Sequence, residues 1–254
     1  MNRDNRVHRH GMGEGYTYRY PRRRAVRAVL RGATNGLLRL LSRVEVEGRE
    51  HVPSDGPVIL AANHFTFVDA PVLLATSPRM VEFVGGADRV NSPGWTRMIP
   101  KLWGFIPAYR GAFTRSTLRG SLEILEQGGV MGIFPEGGNW AGLLRPARPG
   151  MAFMAASSGA PIVPVSITGA DTVLSSGRAP VRVTFHAPIP APQIAAKGRV
   201  RRAALDDFGA QVMARIAEGL PDDLRGRHSS CPDARAAAEA VSAYPFDAPE
   251  MRGI

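Results

Sequence analysis

The apolar run Pro57-Val58-Ile59-Leu60-Ala61-Ala62, bounded by the turn sequence Pro53-Ser54-Asp55-Gly56, reads as a buried strand. It fixes where the next residues emerge: Asn63 and His64 leave the sheet at its end, where open α/β sheets bind ligands. Asp69 stands just before Ala70-Pro71-Val72-Leu73-Leu74, and Asp with Pro in the first turn marks a helix N-terminus. The sequence therefore predicts a carboxylate held by a helix cap. A carboxylate that accepts a hydrogen bond from one imidazole nitrogen fixes the tautomer and leaves the other nitrogen as a base towards a hydroxyl. No serine nucleophile is needed if that hydroxyl belongs to the substrate. Taken alone, such a His-x4-Asp pair is more often a satisfied surface or cap histidine than a catalyst.

Strands and helices alternate along the rest of the chain. Strands are expected at 44–47, 57–62, 80–84, 105–109, 130–134, 162–168 and 181–186. Helices are expected at 69–76, 94–103, 114–127, 150–158 and 200–219, with Trp95, Met98, Ile99 and Leu102 in the core. This order predicts an α/β fold: a single domain over 44–220 whose central sheet, mostly parallel or mixed, is flanked by helices. His186, on an alternating strand, is expected on the sheet surface rather than in a site. The 254 residues suffice for one large core, and 44% hydrophobic content with 28 Gly and 21 Pro fits a loop-rich globular chain. The lone Cys231 excludes an intramolecular disulfide and a cysteine-rich zinc site, and suits a reducing compartment.

Charge is concentrated at one end. Residues 1–43 carry eleven arginines against Asp4 and Glu14, a net +9 of the chain's +10. Within them Val26, Val29, Leu30, Ala33, Leu37, Leu40, Leu41 and Val44 recur at three- and four-residue steps, with Arg24, Arg27 and Arg31 mostly off that stripe. A basic amphipathic helix over 22–43 is expected, preceded by a flexible tail. Such a helix lies in a membrane interface with its apolar face among acyl chains and its arginines near anionic headgroups. The competing reading packs the stripe on the core and leaves the arginines solvated. Nucleic acid is not expected as a partner, because the segment carries no recognisable binding motif. His8 and His10 lack companion ligands, so no metal site is expected. No run is long enough to span a bilayer, and the start of the chain lacks the apolar core of a signal peptide. Residues 221–254 read as a polar tail.

Three further blocks follow the histidine: Gly104-Phe105-Ile106-Pro107-Ala108-Tyr109-Arg110, Ile133-Phe134-Pro135-Glu136-Gly137-Gly138 and Pro161-Ile162-Val163-Pro164-Val165. With the lead-in Val44-Glu45-Val46-Glu47-Gly48-Arg49-Glu50, their order and spacing resemble the glycerophospholipid acyltransferase family from about Val44 to about Thr168. The resemblance implies acyl transfer from acyl-CoA or acyl carrier protein, as co-substrate rather than resident cofactor, to a lysophospholipid hydroxyl. It places the protein peripherally on the cytoplasmic face of the cell membrane, with an anionic membrane surface as partner.

The roles it implies have chemical reasons. His64 and Asp69 supply the base, and Asn63 stands with them as a substrate-binding residue. Arg110 occupies the position of an arginine thought to contact the acceptor phosphate, for which a planar guanidinium is suited. Glu136 belongs to the site, either holding an acceptor hydroxyl or anchoring its loop. Gly137 and Gly138 let backbone approach a ligand, and their amides are candidate oxyanion or phosphate donors. The third block departs from the family, which continues Gly-Thr-Arg where this chain has Gly138-Asn139-Trp140. Either Arg145 or Arg148 replaces the missing arginine, or the acceptor lacks a phosphomonoester. A catalytically silent, lipid-binding relative is the alternative of another class.

Overall fold

The computed structural model describes residues 18–85, 103–108, 114–175, 178–193 and 202–243. Its centre is β2 (Val58–Ala62), every residue of which is buried. Alternate side chains serve two cores. Val58, Leu60 and Ala62 pack with α1 (Arg24–Leu41) and α2 (Asp69–Thr76), whereas Ile59 and Ala61 pack with α3 (Arg115–Glu126), α4 (Pro149–Ser158) and α5 (Arg202–Glu218). A strand covered on both faces is apolar at every position, which is why its sequence shows a run and not an alternation.

The other strands are β1 (Ser42–Glu47), β3 (Val81–Phe83), β4 (Val130–Ile133), β5 (Ile162–Thr168) and β6 (Ala179–Phe185). Together they make a six-stranded sheet in the order β1-β6-β5-β2-β4-β3. Strands β3, β4, β2 and β5 are parallel, β6 runs antiparallel to β5, and β1 is parallel to β6. The mixed sheet flanked by helices is the predicted architecture. Register places the site: Ala61 pairs with Ile133 on β4, and Ala62 with Val165 on β5. The residues that follow β2, β4 and β5 therefore gather at one carboxyl edge of the sheet.

Three expectations change. The strand expected at 105–109 is reduced to one parallel bridge between Ile106 and Val84, with the Ile106 N–H donating to Phe83 O at 2.8 Å. Tyr109, Arg110 and the expected core residues Trp95, Met98, Ile99 and Leu102 lie outside the described residues. The segment expected as a polar tail from 221 carries two short 3-10 turns and α6 (Pro232–Ala240), and the Leu144 N–H donates to Leu224 O at 2.9 Å. Alanines at 236–238 left little amphipathic signal for that helix, and docking of Ala238 supplies what propensity alone did not.

The third change concerns α1, which combines features of both expected orientations. Arg27 turns inward and is fully buried, and the half-buried Arg31 donates to the Ser77 carbonyl, whereas Arg24 and Arg39 stay exposed. The apolar stripe divides: Val29 at 72% and Leu40 at 67% exposed, with Val26 and Leu37 about half exposed, face outward, while Leu30, Leu41 and Val44 pack on the core. A buried carboxylate explains the inward turn of Arg27. Glu82 on β3 has no solvent contact and accepts from Arg27 Nη2 at 2.8 Å, from Arg27 Nη1 and from Arg22 Nε at 2.9 Å. The remaining guanidinium donors reach the Trp103 and Gly104 carbonyls at 2.7–3.1 Å. A buried charge is tolerated only when paired and fully hydrogen-bonded, and this cluster meets that condition.

Candidate active site

His64 follows β2 by two residues, and its ring is held on three sides. Nδ1–H donates to Asp69 Oδ2 at 3.1 Å. The Phe134 ring stacks on the imidazole with centroids 4.0 Å apart and planes 18° from parallel. The His64 backbone N–H donates to Glu136 Oε1 at 2.7 Å. The ring keeps 17% of its surface open to solvent. With Nδ1 committed to the carboxylate, the neutral imidazole presents Nε2 as a proton acceptor.

Asp69 is the first residue of α2, as expected, but its carboxylate does not cap that helix. It turns back over the preceding loop, and Oδ2 accepts from the Phe65 and Thr66 N–H groups at 2.7 Å each. Those donors compensate the burial of the charge and pin the loop that carries His64.

Asn63 is completely buried, and its amide is committed to β5: Nδ2 donates to Ile167 O at 2.9 Å and Oδ1 accepts from Ile167 N–H at 2.8 Å. It clamps the end of β2 to β5 and offers no group to a ligand, a correction to its expected substrate contact. Glu136 is likewise internal. Besides the His64 N–H it accepts from the Arg145 N–H at 3.2 Å, with Arg145 Nε 3.3 Å from Oε2. The nearby guanidinium and the two N–H donors favour the ionised carboxylate. Complete burial outweighs them and pushes the Glu136 carboxyl up to about 8. Both Glu136 oxygens are thus bonded inside the protein, which fits the anchoring role of the two expected.

The glycines divide. Gly137, at φ 81°, donates its N–H to Phe134 O at 3.0 Å to close the turn, so that amide is spent. Among the described residues Gly138 uses its N–H in no backbone bond, and its missing Cβ makes room for the Trp140 ring, which a methyl group would meet at 2.5 Å. The glycine pair is thus a turn residue and a packing residue.

One contributor is not legible in the sequence: Phe134 reads only as the end of an apolar strand, with nothing to indicate that it stacks on His64. Arg145, expected as one of two replacements for the missing arginine, has its guanidinium 3.4 Å from the Trp140 ring centroid, donates to the Gly138 carbonyl and is almost fully buried. Arg148 is half-buried just before α4, and its N–H donates to Pro135 O at 2.8 Å. Among the described residues no three His, Cys, Asp or Glu side chains converge as a metal site, and no helix is long and apolar enough to cross a membrane.

The comparisons with known proteins agree with one another. The family model described as Acyltransferase matches residues 43–168, which contain His64, Asp69 and Glu136. The chain is 29% identical over 160 residues to a chloroplastic 1-acyl-sn-glycerol-3-phosphate acyltransferase of Brassica napus, covering 58% of this chain and 45% of that one. It is 25% identical over 134 residues to the 1-acyl-sn-glycerol-3-phosphate acyltransferase of Bacillus subtilis, covering 52% and 66%. The crystal structure of the 1-acyl-sn-glycerophosphate acyltransferase of Thermotoga maritima superposes with a TM-score of 0.53 at 26% identity, over 76% of this chain and 80% of that one. The chain spans less than half the length of the plant relative.

Proposed function

Through residues 43–168 the chain belongs to the acyltransferase family, and from that membership we propose that it moves a fatty acyl group from acyl-CoA or acyl carrier protein to the hydroxyl of a lysophospholipid such as 1-acyl-glycerol-3-phosphate. The observation that carries the reading is the His64–Asp69 pair at the carboxyl edge of the sheet, its Nδ1–H directed at Oδ2 over 3.1 Å.

In the proposed reaction His64 Nε2 takes the proton of the acceptor hydroxyl while its oxygen attacks the thioester carbonyl carbon. The carbonyl electrons move onto oxygen, and the Gly138 N–H supports the resulting anion. Collapse of the tetrahedral intermediate breaks the carbon–sulfur bond, and the departing thiolate takes the proton from the imidazolium. Asp69 stabilises that cation and keeps Nδ1 protonated throughout. Arg110 is the proposed ligand of the acceptor phosphate.

A second reading, favoured by the internal use of Arg145 and by Asn139 after Gly138, is an acceptor without a phosphomonoester. We place the enzyme peripherally on the cytoplasmic membrane face, with the outward stripe of α1 among acyl chains and the exposed Arg39 and Arg43 beside anionic headgroups. The test is transfer of a radiolabelled acyl group from acyl-CoA or acyl carrier protein to a panel of lysophospholipids with and without a phosphomonoester. Product with the phosphomonoester acceptors alone supports the first reading, product with the others alone supports the second, and no product with either overturns both.

A further inference from the structure

Arg145 lies beside the proposed catalytic centre but faces the protein. Its guanidinium is stacked on Trp140, sits 3.3 Å from Glu136 Oε2 and donates to the Gly138 carbonyl. Its own N–H donates to the same Glu136 carboxyl, whose other oxygen takes the His64 N–H at 2.7 Å. Arg145 is thus linked to the backbone of the base through one buried side chain. Its hold on Gly138 has a geometric consequence. In a trans peptide C=O and N–H point in opposite directions. Drawing the Gly138 carbonyl towards Arg145 therefore directs the Asn139 N–H away from it, and among the described residues no backbone bond uses that N–H.

We propose that Arg145 is a positioning residue for acyl transfer, holding the Gly138–Asn139 peptide so that the Asn139 N–H joins the Gly138 N–H as an oxyanion donor, and that it does not bind the acceptor phosphate. The inference rests on the acyl-transfer reading above. Burial makes the site costly to leave half-paired, and each donor aimed at an oxyanion contributes to turnover rather than to ground-state binding. Trp140 completes the device by stacking on the guanidinium face and holding its plane.

The experiment compares the full chain with Arg145→Met, Arg145→Lys, Glu136→Gln and the double variant Glu136→Gln/Arg145→Met, measuring kcat and KM for lysophospholipid acceptors and thermal unfolding. Arg145→Met should lower kcat by roughly tenfold or more while the acceptor KM changes by less than about threefold. Arg145→Lys, which keeps the charge and loses the fork, should fall between it and the parent. The Tm losses of the single variants should be non-additive by more than roughly 2 °C, as contacting partners require. Because Arg145 pulls the Glu136 carboxyl downward, Arg145→Met should also move the pH dependence of stability to higher pH.

A rise in acceptor KM with kcat preserved would overturn the inference and make Arg145 a phosphate ligand. Additive Tm losses would also overturn it. If the parent chain acylates no lysophospholipid, the acyl-transfer reading fails and the catalytic part of the inference falls with it; non-additive Tm losses then still establish the Glu136–Arg145 linkage, and additive ones remove that as well.

Discussion

His64 has one nitrogen bound and one open, and that asymmetry sets its predicted phenotype. Because the ring is mostly buried between Phe134 and Asp69, His64→Ala should lower the melting temperature by several degrees and kcat/KM by ~10²–10⁴-fold, a far larger loss than the change in stability explains. Steady-state transfer to a lysophospholipid checks it, and near-normal turnover would remove His64 from the mechanism. Glu136 gives a pH signature at the same scale. Its folded carboxyl titrates at about 8, above the ordinary 4.5, so the native state binds the extra proton between those limits. The contribution is complete below the unfolded value and is lost as pH rises through the folded one. Stability should therefore fall across that window by up to about 1.4 kcal/mol per pH unit. Glu136→Gln should flatten the slope. Urea unfolding of both proteins at about pH 5.5 and about pH 7.5 measures it, and equal slopes would contradict the assignment.

Among the elements, α1 shows how a buried charge can override an amphipathic pattern. The hydrophobic effect favours packing Val26, Val29, Leu37 and Leu40 inward, each contributing roughly 1.5–3 kcal/mol when fully buried. Turning them in would direct Arg27 away from Glu82, and breaking a buried pair by removing one partner costs roughly 3–5 kcal/mol. Arg27→Met should accordingly destabilise by roughly 3 kcal/mol, with Arg22 left to offset part of the loss, as denaturant titration would show. Deleting residues 1–43 would strand Glu82 altogether, so membrane attachment is better tested at the outward face. Val29→Glu with Leu40→Glu should weaken sedimentation with anionic vesicles by roughly tenfold per residue and leave the melting temperature nearly unchanged. Added salt should release the parent only in part, because screening acts on the exposed arginines and not on the stripe. Unchanged sedimentation of the double variant would show that this face does not meet the bilayer.

Across the whole molecule, the last described segment supports the first site. Gly226 holds φ 59° against the Leu144 carbonyl, where a Cβ would lie 1.9 Å from the oxygen, and Leu144 is the neighbour of Arg145. Gly226→Ala should thus cost roughly 1–3 kcal/mol and reduce transfer although it touches no proposed catalytic group. Paired unfolding and activity measurements check this, and a loss of stability with full activity would uncouple the segment from the site. The sequence by itself determined the elements whose signal is local: the apolar run 57–62, the helix opening at Asp69, the Phe134-Pro135-Glu136-Gly137 turn and the strand–helix alternation all act through near neighbours. It determined the proximity of His64 and Asp69 for the same reason, since only four residues of chain separate them. Only the tertiary structure decided that Asn63 clamps β5, that Glu136 faces the His64 backbone and Arg145, that Arg27 of α1 is buried against Glu82, and that 232–240 docks as a helix. Each of these rests on a partner distant in sequence or on another face of the fold, and burial, not residue type, determines whether a polar side chain meets a ligand or the protein itself.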